Sequence, residues 1–192
     1  MLFKPKKQVS LFIQNNAIMK KTGLLLILLT TFLSCSQKEA PTLTPLQQLP
    51  KATKVGANTA GCLVNGEAFL PKGYFSTGNL NCFYVNQKDF VLGFSQRLNN
   101  TSSHVYMYVY NTNLQINNIY SLTEEKVSNP KYAEYEAPFS ISYKTTSIVK
   151  GELVITHHDY NKAIISGTFW FDAVNNAGEK VEVREGRFDM KY

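Results

Sequence analysis

The chain has 192 residues, a net charge of +6 and 44% hydrophobic residues, with twelve Phe, eleven Tyr and one Trp. Five of its lysines (Lys4, Lys6, Lys7, Lys20 and Lys21) lie in residues 1–34, which hold no acid. Without that segment fifteen basic residues face fourteen acidic ones, a net charge of +1, so the basic balance that would suggest a nucleic-acid partner belongs to the leader alone.

In chain order, the first element is an export signal. Lys20-Lys21 is its positive region, 24–29 is an unbroken apolar run, and Phe32-Leu33-Ser34-Cys35 closes it. The apolar stretch 24–33 is too short to span a bilayer. The closing residues resemble a lipobox with Phe32 where Leu is commonest, so Cys35 is the expected lipid attachment residue. Met19 would start a signal of ordinary length, which leaves 1–18 readable as an upstream extension. A buried methylene adds about 0.8 kcal/mol of membrane affinity, so the several acyl chains of a modified cysteine anchor where one chain would not. The membrane is thus the first expected partner, through acylated Cys35.

Residues 35–56 contain Pro41, Pro45 and Pro50 among Thr, Gln and Lys, and read as an extended tether rising about 3 Å per residue. The domain is expected over 57–192, a single unit long enough to bury its own core. Asn65-Gly66 between Cys62-Leu-Val and Glu67-Ala-Phe is a two-residue hairpin signal, because a type I′ turn needs positive φ at both positions. Further strands are predicted over 81–85, 89–98, 103–111, 115–122, 133–144, 149–157, 162–174 and 179–190. In the seventh of these, Phe169 and Phe171 share one face while Thr168, Trp170 and Asp172 share the other. Ser121-Leu-Thr-Glu124 fits a capping box and is the only helical hint. The fold expected is all-β: a single-domain antiparallel β-sandwich or closed β-barrel of about 8–10 strands.

The opening run from Gly56 to Glu67, Gly-Ala-Asn-Thr-Ala-Gly-Cys-Leu-Val-Asn-Gly-Glu, resembles the start of a family of uncharacterised envelope lipoproteins from Bacteroidota. The closing pair, Ile165-Ser-Gly-Thr-Phe169 and Gly186-Arg-Phe-Asp189, is similar to that family too. The resemblance implies an envelope lipoprotein with a β-rich domain, expected at the outer membrane, and transfers no catalytic residue. An acidic run after the cysteine would favour surface display; Ser36-Gln-Lys-Glu39 has one acid, which leaves the periplasmic and surface faces open.

Several constellations invite chemistry. With Cys35 modified, Cys62 and Cys82 form an even pair outside the cytoplasm, readable as a disulfide worth about 3 kcal/mol or as two separate buried thiols. His157-His158-Asp159 is the densest group of metal-ligand types, yet adjacent strand residues point to opposite faces, which disfavours chelation. No cofactor motif, nucleophile elbow or phosphate loop is present. Tyr106, Tyr108 and Tyr110 share one strand face, opposite Val105, Met107 and Val109. With Trp170 they form a possible binding face for a glycan or protein partner, or simply the cover of a sandwich. Arg184 and Arg187 near Asp189 read as a surface ion pair. The function expected is therefore a membrane-anchored lipoprotein with a non-catalytic binding domain. The alternative is a glycan- or cell-wall-acting hydrolase whose dispersed carboxylates leave no local signature.

Overall fold

A computed structural model describes residues 42–125 and 128–192; the signal segment and Cys35 lie outside the described residues. Residues 43–192 form one compact unit. It is built from eleven strands: β1 (Thr59–Val64), β2 (Glu67–Phe69), β3 (Leu80–Val85), β4 (Asp89–Leu98), β5 (Thr101–Val109), β6 (Ile119–Leu122), β7 (Lys131–Ala137), β8 (Ile141–Lys144), β9 (Gly151–Asp159), β10 (Ile164–Val174) and β11 (Lys180–Lys191). All pair antiparallel in one sheet, in the order β2-β1-β11-β10-β8-β7-β5-β4-β3, with β9 also on β10 and β6 on β9. The all-β reading holds. The closed barrel does not, because the path ends at β2 and β3, which do not pair with each other.

The sheet folds over at β10. Its first part pairs with β9 from Ile164 to Phe171, and its end meets β8 only at Val174–Lys144. Two limbs result: limb I holds β2, β1, β11, β10, β9 and β6, and limb II holds β8, β7, β5, β4 and β3. Their inner faces meet ring against ring, Phe69 with Phe94 at 5.6 Å, Phe90 with Phe188 at 5.8 Å and Phe94 with Phe169 at 6.3 Å. Phe90, Phe94 and Phe171 are fully buried, and each such side chain contributes about 1.5–3 kcal/mol. The strand alternation is visible in the burial: Val105, Met107 and Val109 point in and their neighbours out, as do Phe169, Phe171 and Ala173.

Local chemistry explains the turns. Asn65 and Gly66 carry φ of 49° and 87°, as the hairpin reading required. Asn99 and Asn100 turn β4 into β5 in the same left-handed region, which Asn tolerates better than most residues. Residues 133–144 do not form the single predicted strand: Pro138 cannot donate to a ladder, and Phe139 and Ser140 take φ of 65° and 60°, separating β7 from β8. The helical expectation is also corrected. Ser121 and Leu122 belong to β6, paired with β9, because burial of Tyr120 and Leu122 on alternate positions outweighs the local capping pattern. The capping box that does form is Thr44 with Gln47, over the short helix α1 (Pro45–Gln48). Within the segment read as a tether, Leu49 is buried and the residues from Leu43 onward belong to the compact unit.

Candidate functional site

Trp170 stands on the outer face of limb I, where β10 and β11 fall out of register. Phe169 pairs with Gly186 but Phe171 pairs with Val183, so Arg184 and Glu185 together oppose Trp170. Glu185 takes the extra residue with a φ of 55°. A bulge of this kind re-aims the side chains beside it. Glu152 lies directly across on β9, and the indole N–H donates to its Oε2 at 3.1 Å. The Arg184 guanidinium lies 5.4 Å from the indole centroid, within cation–π range. It pairs with Asp172 Oδ1 at 2.6 Å and donates to the carbonyl oxygens of Phe171 and Val183. Arg187 binds Glu185 at 3.0 Å. Trp170, Glu152, Arg184, Glu185 and Arg187 line a cleft of about 470 Å³ together with Val154 and Thr168; Asp172 lies outside it and holds Arg184 from behind. Trp170 keeps 37% of its surface exposed.

The cleft therefore joins a fixed aromatic ring to carboxylates and guanidinium groups already oriented by their neighbours. The two carboxylates of the cleft are each engaged by a donor, Glu152 by the indole and Glu185 by Arg187. Such an arrangement suits orientation of a polyhydroxylated ligand over the ring.

The tyrosines lie on the outer face of limb II instead. His104, Tyr106 and Tyr108 of β5 and Tyr110 just past its end form a ladder with ring spacings of 5.8, 6.0 and 6.1 Å. Tyr132 of β7, paired with Tyr108, stacks on it at 4.6 Å. Tyr106 crosses Gly93 of β4, where a Cβ would sit 2.8 Å from the ring, so glycine lets the ring lie down on the strand. Burial, then the Glu134 carboxylate, pushes the Tyr108 hydroxyl up to about 12. Burial also raises Tyr106, Tyr110 and Tyr132, with Glu136, Asp89 and Glu125 respectively next in effect. These rings pack on one another and on the strand beneath. The four residues expected on one binding face are thus divided: Tyr106, Tyr108 and Tyr110 on limb II, Trp170 on limb I.

Other expectations are corrected. Cys62 on β1 and Cys82 on β3 are both free and buried, and β1 and β3 belong to different limbs. Burial raises both thiols, Cys82 to about 12, so neither is a ready nucleophile. Asp189 makes no ion pair with Arg184 or Arg187. It is 1% exposed and accepts hydrogen bonds from the Thr53 and Ser166 hydroxyls and the Val55, Gly56 and Ala57 amides at 2.6–3.1 Å. Burial alone would raise this carboxyl, but those donors outweigh it and hold it well below the usual carboxylate range. The knot was invisible in sequence because its donors lie more than 130 residues away, Ser166 excepted.

His157 and His158 do diverge. His158 is buried, stacked on Tyr160 at 3.9 Å and bonded through Nε2 to the Tyr192 hydroxyl at 3.0 Å. His104 bonds Ser95 at 2.7 Å on limb II. Among the described residues no group of three or more His, Cys, Asp or Glu could hold a metal ion.

A family model described as a domain of unknown function (DUF6252) matches residues 93–190. That span runs from the middle of β4 into β11. It includes both aromatic faces and the closing motifs singled out in the sequence, and leaves out the opening one. No curated protein and no solved structure matches the chain.

Proposed function

The chain belongs to the DUF6252 family of domains of unknown function, and for this member we propose a lipid-anchored envelope lipoprotein whose β domain binds glycan chains without cleaving them. The observation that carries the binding reading is the Trp170 cleft. An exposed indole can stack on the C–H face of a sugar, while Glu152 and Arg184 beside it accept from and donate to hydroxyls. Both polar groups are held by hydrogen bonds that do not need the ligand, so little ordering is lost on binding. The anchor reading rests on the signal segment and the lipobox at Cys35. Glu152 and Glu185 are each held in place by a donor, Trp170 and Arg187, which suits them to orienting a bound ligand.

Trp170 is the sole tryptophan, so its fluorescence reports the cleft directly. Titration with N-acetylglucosamine oligomers and muropeptides should give a saturable change, and calorimetry should show at least about tenfold weaker binding in Trp170→Ala. Affinities equal in wild type and variant would remove the cleft from the function. For the anchor, cells fed a clickable fatty acid should label the wild type and not Cys35→Ala.

A further inference from the structure

The two ends of the main strand path are protected very differently; β6, beyond β9, is a third free edge of only four residues. The β2 end has only three residues, carries Glu67, and has α1 packed against it. The β3 end has six residues, Leu80-Asn-Cys-Phe-Tyr-Val85, with no charge, no proline and an unbroken register against β4. Natural proteins blunt free edges with such devices, because an unpaired edge recruits another strand. Here the devices are missing.

The orientation of the edge follows from one hydrogen bond. The Ser95 N–H donates to the Asn79 carbonyl at 2.8 Å. In an antiparallel ladder, hydrogen-bonded pairs alternate with pairs whose polar groups turn away. Asn81, Phe83 and Val85 therefore address β4, and the N–H and C=O groups of Leu80, Cys82 and Tyr84 point outward. Among the described residues no backbone group meets them. The stretch from Asn79 to Phe83 forms one wall of a groove of about 490 Å³. The opposite wall is Asn58 and Lys191, and the nearly buried side chains of Cys82 and Met190 lie at its base. Beside the edge, Phe83 and Val85 are 55% and 52% exposed on the outer face.

We propose that this groove is a strand-addition site for an extended peptide segment of a partner protein. A row of alternating donors and acceptors is matched by another extended backbone, which gives affinity, while alternate side chains give selectivity. One face of the incoming strand would set an apolar side chain over Cys82 and Met190, and the other would cover Phe83 and Val85. Lys191 takes part in none of the ion pairs among the described residues, so a carboxylate on the peptide completes that wall. A single strand fits better than a second copy, whose own β3 is already flanked by an Asn58–Lys191 wall. This site is independent of the Trp170 cleft, which lies on the outer face of limb I.

The test selects random displayed peptides on the full chain in detergent, synthesises those enriched, and follows amide hydrogen exchange by NMR. The expected result is exchange slowed about tenfold or more at Leu80, Cys82 and Tyr84, with Asn81 and Phe83 unchanged because they already pair with β4. Phe83→Lys and Val85→Lys, whose side chains face solvent, should weaken the selected peptides by about tenfold while leaving the unfolding temperature nearly unmoved. Peptides that bind without protecting those three amides would overturn the proposal. So would protection that rises with protein concentration in the absence of peptide, which would assign the edge to self-association.

Discussion

Limb I and limb II solve the same problem, a sheet with one face in the core and one in water, by different chemistry. Limb I fastens the segment that leads into β1 with charge: Asp189 gathers five donors and ties residues 53–57 onto β11. Its outer face is then left with a bulge and a cleft at Trp170. Limb II fastens its outer face with rings laid on one another from His104 to Tyr110 and across to Tyr132. An aromatic surface is thus not by itself a binding surface. On limb II the rings spend their contacts on each other; on limb I the single ring is held by polar groups and keeps part of its face open.

That contrast can be broken by experiment. The largest effect is expected at the knot. Asp189→Ala leaves three backbone amides and two hydroxyls without their acceptor and should cost about 4 kcal/mol in urea unfolding. A loss under about 1 kcal/mol would show that limb I is held by something else. On limb II, Tyr132→Ala should cost about 3 kcal/mol through lost burial and stacking, with Tyr132→Phe close to neutral. If both variants fall equally, the hydroxyl and not the ring matters.

The limbs should also fail at opposite ends of the pH scale. The Asp189 carboxyl is lowered in the folded state, so its contribution is present above the ordinary carboxylate value and fades as pH falls below about 4. The Tyr108 hydroxyl is raised, so its contribution is complete below about pH 10 and is lost as pH climbs towards about 12. Unfolding curves against pH should therefore show an acid arm that Asp189→Asn reduces and an alkaline arm that Tyr108→Phe reduces in part, the other raised tyrosines keeping the rest, with neither substitution touching the other arm. The smallest stability effect is expected for Trp170→Ala, within about 1 kcal/mol of the wild type, since only an indole hydrogen bond and a partly exposed cation–π contact are lost. A larger drop would make the cleft part of the scaffold.

The residues themselves determined a good deal. Period-two alternation separated Phe169 and Phe171 from Thr168 and Trp170, and Tyr106 and Tyr108 from Val105 and Met107, because a strand has no other way to bury one set. Asn65-Gly66 determined its turn because few other pairs tolerate two positive φ values. Such signals act within a few residues, as does the capping box of Thr44 and Gln47, whereas the similar pattern at Ser121 is overridden by the pairing of β6 with β9. What only the tertiary structure decided is which faces meet. The fold at β10 sends Trp170 to one limb and the tyrosines to the other, places Cys62 and Cys82 on different limbs, and buries Asp189 under residues 53–57 rather than beside an arginine. Those outcomes depend on contacts made across the whole chain, where burial and hydrogen bonding select among local patterns that look alike.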